Sequence, residues 1–161
     1  IACESGGNGD SDMPDFIFSF IDLNPASETF YQIITNESFL GKVSLYYFPS
    51  SLTWGTCISR FGSLNALYNE YLNNEETPIA IVGIGQNNDQ SIDNIVAGTI
   101  LPFVKDDMLN NIWDDWEPDA RDLFFFDIDG AYCTKVNLTG GYVENEIKNI
   151  IAGCLNGVIG I

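Results

Sequence analysis

Residues 41–57 read Gly41-Lys42-Val43-Ser44-Leu45-Tyr46-Tyr47-Phe48-Pro49-Ser50-Ser51-Leu52-Thr53-Trp54-Gly55-Thr56-Cys57. Val43–Phe48 is an aromatic and β-branched run, which reads as a strand buried on both faces. Pro49-Ser50-Ser51 stops it. From about Thr56 to Leu72, Phe61, Leu64, Leu67, Tyr68 and Tyr71 recur at three- and four-residue steps and share one helical face. Asn73-Asn74 closes that helix, and Ile79–Ile84 is a second buried strand. A strand, a helix and a strand across residues 43–84 make a parallel, right-handed crossover.

On the N-terminal side, Phe16–Leu23 reads as a strand ended by Asn24-Pro25, and residues 26–40 as a short helix or loop. On the C-terminal side, a polar loop over 86–94 leads into a short helix near Ile92–Ala97, and Leu101-Pro102-Phe103-Val104 is a short extended piece. A dense acidic stretch follows: Asp106, Asp107, Asp114, Asp115, Glu117, Asp119 and Asp122, with Trp113 and Trp116 among them. Leu123–Asp127 is a strand, Asp129-Gly130 a hairpin turn, and Ala131–Leu138 the return strand. Glu144–Cys154 is a terminal helix whose apolar side carries Val143, Ile147, Ile150, Ile151 and Leu155. This alternation predicts an α/β fold with a central mixed β-sheet flanked by helices.

The 161 residues suffice for one domain. Six cations stand against 23 carboxylates, a net charge of −17, and there is no histidine. That balance argues against nucleic acid and anionic membrane as partners. The missing imidazole removes Ser-His-Asp triads, Cys-His pairs and His-ligated metals. No apolar run reaches the roughly 18 residues a bilayer span needs. The acidic stretch reads as a solvated face rather than a cation site, and Asp127-Ile128-Asp129-Gly130 lacks the later ligands of a calcium loop. No metal or cofactor site is expected.

Four cysteines, Cys3, Cys57, Cys133 and Cys154, show no C-x-x-C spacing and allow three pairings. Asn36-Glu37-Ser38 and Asn137-Leu138-Thr139 are glycosylation-type triplets, too common by chance to weigh. Ile1-Ala2-Cys3 and the polar Gly/Ser/Asp run behind it look like a lipoprotein signal end and a flexible tether over 1–13. Export follows, with Cys3 as the one candidate membrane anchor. The tail 157–161, Gly-Val-Ile-Gly-Ile, is apolar and is a candidate for self-association.

The element order and several segments resemble the thioredoxin-like fold. The likeness is to the redoxin group that includes bacterial periplasmic thiol-disulfide proteins and the N-terminal domain of selenoprotein P. The matching pieces are Gly41–Phe48, Trp54-Gly55-Thr56-Cys57 opening a helix, Leu101-Pro102-Phe103, Ile112-Trp113 and Asp122–Gly130. The resemblance implies a thioredoxin-like domain over 14–156. It also implies an active motif of Cys or selenocysteine followed, three residues on, by Cys, with the first residue stabilised as an anion at a helix N-terminus. Here Cys57 takes the second place and Trp54 the place of the missing nucleophile. Leu101-Pro102 matches the family's cis proline, which implies a cis bond beside the motif and an edge for an extended protein or peptide substrate. Cys133 and Cys154 fall on elements that pack together in this fold and are the candidates for a structural disulfide.

Cys57 falls inside the first helical turn, shielded and without a cation-rich, imidazole-bearing neighbourhood, so its thiol is not expected to be usefully acidified. The leading functional reading is therefore an exported thioredoxin-fold protein that is redox-inactive and acts as a binding or assembly subunit. An active thiol-disulfide oxidoreductase or peroxidase-like enzyme using Cys57 is one alternative. An acidic cation-binding surface protein is another.

Overall fold

The computed structural model describes residues 15–157 apart from Glu75. The expectations placed on the tether, on Cys3 and on residues 158–161 lie outside the described residues. The first strands are β1 (Ser19–Ile21) and β2 (Ile33–Thr35), which pair antiparallel as a separate ladder. Then come β3 (Val43–Phe48), α1 (Gly55–Tyr71), β4 (Ile79–Gly85), α2 (Asp93–Val96), β5 (Phe103–Lys105), α3 (Ile112–Asp115), β6 (Asp122–Phe126), β7 (Tyr132–Asn137) and α4 (Glu144–Leu155). The main sheet has the order β5-β4-β3-β6-β7. β3, β4 and β5 run parallel, while β6 and β7 run antiparallel to their neighbours.

Every residue of β3, β4 and β6 is buried, because both faces of the sheet are covered. Val43, Leu45 and Tyr47 face the helical layer, where α1 supplies Phe61, Leu64 and Leu67 and α4 supplies Ile147, Ile150 and Ile151. Tyr46 and Phe48 face the other way, into an aromatic layer with Phe18, Phe20, Trp116, Phe124 and Phe126. Trp113 and Trp116 are core and rim: Trp116 is buried, and the half-buried Trp113 indole N–H donates to the Ile84 carbonyl at 3.0 Å.

Two expectations need correction here. The strand expected over Phe16–Leu23 shrinks to three residues, because Phe16 takes a left-handed φ of +50° and the Leu23 N–H turns inward to the Phe103 carbonyl at 2.8 Å. The expected helix or loop over 26–40 contains β2, whose three residues are too few to show a period. The Asp127–Gly130 turn forms as expected. Gly130 adopts φ +82°, and the Asp127 carboxylate accepts the N–H groups of Asp129 and Ala131.

Gly83 lies on β4 where Tyr47 and Phe103 flank it in register. A Cβ there would come within 2.5 Å of Phe103 Cδ2 and 2.9 Å of Phe61 Cε1, and both rings are fully buried. Gly83→Ala is therefore expected to destabilise the fold by about 1–3 kcal/mol, as overpacked cores do. Urea unfolding at constant m-value checks this; an unchanged midpoint would mean the rings yield freely.

Candidate functional site

α1 begins on Trp54, an extended residue with no side-chain cap, whose carbonyl accepts the Ile58 N–H at 3.1 Å. The loop from β3 is held by Ser51, whose hydroxyl accepts the N–H groups of Thr53 and Trp54. Leu52 is pinned from the loop after β4, its N–H donating to the Gln90 side chain at 2.8 Å. Trp54 is 62% exposed, whereas Cys57, in the first turn, is fully buried. The two motif residues share a helix mouth but occupy different environments.

Arg121 faces the thiol. Phe48 pairs with Asp122, so the residue entering β6 lies against the chain leaving β3. The Arg121 N–H donates to the Phe48 carbonyl at 2.8 Å. Its φ of +68° is in the left-handed region, where a side chain is strained, and such strain concentrates at functional sites. From this position Nη1 lies 3.3 Å from Cys57 Sγ. The Ser50 hydroxyl lies 3.8 Å from the same sulfur.

The chain's two arginines are both tied to one turn. Arg60 Nε donates to the Leu138 carbonyl at 2.7 Å, and Arg121 Nε donates to Thr139 Oγ1 at 3.1 Å. The neighbouring Asp122 carboxylate is engaged elsewhere, by Lys135 at 3.2 Å, Asn137 Nδ2 at 2.9 Å and the Asp119 N–H at 2.8 Å. Among the described residues no carboxylate forms a salt bridge with Arg121. In a chain with 23 acids, that leaves this guanidinium available to a sulfur.

The electrostatic result is a shift of the thiol toward its anion. Burial pushes Cys57 up, but hydrogen bonds from the Ser51 backbone, Arg121 and Ser50, together with the Arg121 charge, outweigh it and hold the thiol below its ordinary value. This corrects the expectation that the Cys57 thiol is not usefully acidified. Tyr47 behaves oppositely: burial, and then the nearby Cys57 charge, push its phenol up. Its hydroxyl stays protonated and donates to the Cys57 carbonyl at 3.0 Å, holding the first turn of α1 against β3.

The other cysteines are arranged differently from the expectation. Cys133 is disulfide-bonded, while Cys57 and Cys154 are both free thiols. The Cys133–Cys154 bridge is therefore not formed. Cys154 is buried in α4, and burial, with the Asp127 charge acting the same way, pushes it up to about 12. It is an inert thiol by that measure.

Leu101 and Pro102 are not part of this site. No peptide bond among the described residues is cis, so the expected cis Leu101–Pro102 bond is absent. Their carbonyls serve the fold itself: Leu101 O accepts Asn24 Nδ2 at 2.7 Å and Pro102 O accepts the Gly83 N–H at 3.0 Å. They lead into β5, and β4 separates that strand from β3. The stretch facing the motif is the one before β6, and it holds Arg121.

Of the acidic stretch, Asp106 is buried, and its carboxylate accepts the N–H groups of Asp107, Ile112 and Trp113. Its role is to start α3.

A mixed sheet between helices, with a thiol in the first turn after the central parallel strand, defines a protein of the thioredoxin-like fold. Solved structures agree on that fold. A thiol:disulfide interchange protein of the thioredoxin family from Chlorobium tepidum superposes with a TM-score of 0.65 at 16% identity, covering 88% of this chain and 95% of its own. A secreted disulfide oxidoreductase from Mycobacterium tuberculosis gives 0.62 at 18% identity, over 90% and 99%. A reduced 2-Cys peroxiredoxin from Plasmodium vivax gives 0.64 at 18% identity, over 87% and 79%. No protein-family model and no curated protein matches the chain.

Proposed function

We propose that the chain is a single-thiol redox protein working through Cys57 as a peroxidase-like reductant of hydroperoxides. The observation that carries the reading is Arg121 Nη1 at 3.3 Å from Cys57 Sγ, in a site where the sulfur is held below its ordinary pKa. The thiolate attacks one oxygen of a hydroperoxide: the S–O bond forms, the O–O bond breaks, and the departing alkoxide or hydroxide takes up a proton. Cys57 is oxidised to a sulfenic acid and the peroxide is reduced to an alcohol or water. Of the described cysteines, Cys154 is buried with a raised pKa and Cys133 is already in a disulfide. Resolution is therefore assigned to an external thiol, which condenses with the sulfenic acid, releasing water. A second external thiol displaces Cys57 and leaves as the external disulfide.

The Cys133 disulfide supports a location in an oxidising compartment outside the cytoplasm. The test is peroxide consumption with dithiothreitol as the external thiol. The wild type is expected to turn over, Cys57→Ser to fall to background, and Cys154→Ser to match the wild type.

A second reading, a redox-silent binding or assembly subunit, draws on Trp54: an indole 62% exposed stands where a nucleophile would be, and Cys57 is fully buried. Absence of wild-type turnover would favour it.

A further inference from the structure

The 138–139 turn connects to the thiol through one side chain. The Thr139 hydroxyl donates to the Ala120 carbonyl at 3.2 Å, so what it presents to Arg121 is a lone pair, and Nε donates to it at 3.1 Å. The backbone closes the same bracket, with the Leu138 N–H donating to the Arg121 carbonyl at 2.9 Å. The guanidinium is planar, so fixing Nε fixes the direction of Nη1. Thr139 is itself exposed and packs in no core cluster, which makes its hydroxyl separable from its bulk.

We propose that Thr139 is a positioning residue for the thiol site: its hydroxyl orients the Arg121 guanidinium so that Nη1 reaches Cys57 Sγ. The inference rests on the reading of Cys57 as the working thiol. The charged and titratable groups around that sulfur are Arg121 before β6, Tyr47 on β3 and, through Tyr47, Arg60 on α1. Thr139 touches one of these, Arg121.

The experiment follows the Cys57 thiolate by ultraviolet absorbance against pH in the intact protein, with Cys57→Ser as the blank. It uses no peroxide, so it stands apart from the turnover test. Thr139→Val keeps the shape and removes the oxygen; it is expected to raise the midpoint by roughly half to one pH unit. Thr139→Ser keeps the oxygen and is expected to hold the wild-type midpoint. In an Arg121→Met background, Thr139→Val is expected to add nothing, because its effect travels through the arginine. An unmoved midpoint in Thr139→Val would overturn the proposal, and so would a Thr139→Ser shift as large as the valine one. A valine shift rescued by serine in a protein that fails to consume peroxide would sustain the role of Thr139 while ending the peroxidase reading.

Discussion

Arg121→Met is expected to slow the reaction of Cys57 with iodoacetamide at mildly acidic pH by roughly three- to thirtyfold. Two effects oppose each other. Removing a cation 3.3 Å from the sulfur raises the thiol pKa, and an opposite charge at that range is worth about one to three pH units. Below the midpoint each such unit takes away about tenfold of the thiolate, yet the more basic thiolate is the better nucleophile, with a Brønsted slope near 0.4–0.5. The net loss is therefore about threefold per unit, not tenfold. Above both midpoints each protein is fully thiolate, and the variant should react at least as fast as the wild type. A crossover in the two pH profiles is the signature, since a variant that merely occludes the thiol loses rate at every pH and one that merely exposes it gains rate at every pH. Methionine also retains a Cβ at φ +68°, so the backbone strain stays in place and the comparison isolates the guanidinium. Parallel profiles without a crossover would remove Arg121 from the site.

Phe61→Ala is expected to lower unfolding stability by about 3–5 kcal/mol, the range for emptying a buried aromatic site. Phe61 is one turn beyond Cys57 and fully buried. Its ring stacks on Tyr47 at 6.0 Å between centroids and meets Phe103 edge-on at 5.5 Å. It also fills the space that Gly83 leaves open on β4. No neighbour collapses easily into the void, because Tyr47 is tethered by its hydroxyl to the Cys57 carbonyl. Tyr47 depends in turn on this stack, so the variant should also loosen the first turn of α1, seen as faster alkylation of Cys57. Denaturant unfolding gives the stability, and a loss below about 1 kcal/mol would mean that α1 does not pack on the sheet through this residue.

The layered architecture was legible in the sequence for a specific reason. Val43–Phe48 and Ile79–Gly85 are buried on both faces and so are apolar throughout, and α1 carries Phe61, Leu64 and Leu67 at helical steps. Such patterns are local. The site is not local: Arg121 and Cys57 are 64 residues apart and meet only because β6 pairs antiparallel with β3 in the register Phe48 opposite Asp122. The sequence does carry one signal for it: a chain of net charge −17 holds two arginines, and each such cation is a candidate partner for an anionic sulfur. The position of Leu101-Pro102 along the chain, before a strand, does not show which turn it faces. Adjacency in the sheet decides which turn faces the motif, and β4 stands between. The disulfide pairing is hidden from the sequence for a related reason. Neighbouring elements do not guarantee neighbouring sulfurs, and Cys154 is a free thiol in α4.

The central claim is that a buried cysteine in the first turn of α1 is held toward its thiolate, against its burial, by the Ser51 backbone, Arg121 and Ser50. The ionisation midpoint of Cys57, read from thiolate absorbance in the intact protein with Cys57→Ser subtracted, tests it most directly. The arrangement predicts a midpoint below the ordinary value of 9.0. A midpoint at or above that value would show that burial outweighs the Ser51, Arg121 and Ser50 contacts, and would return the site to an inert thiol behind an exposed tryptophan.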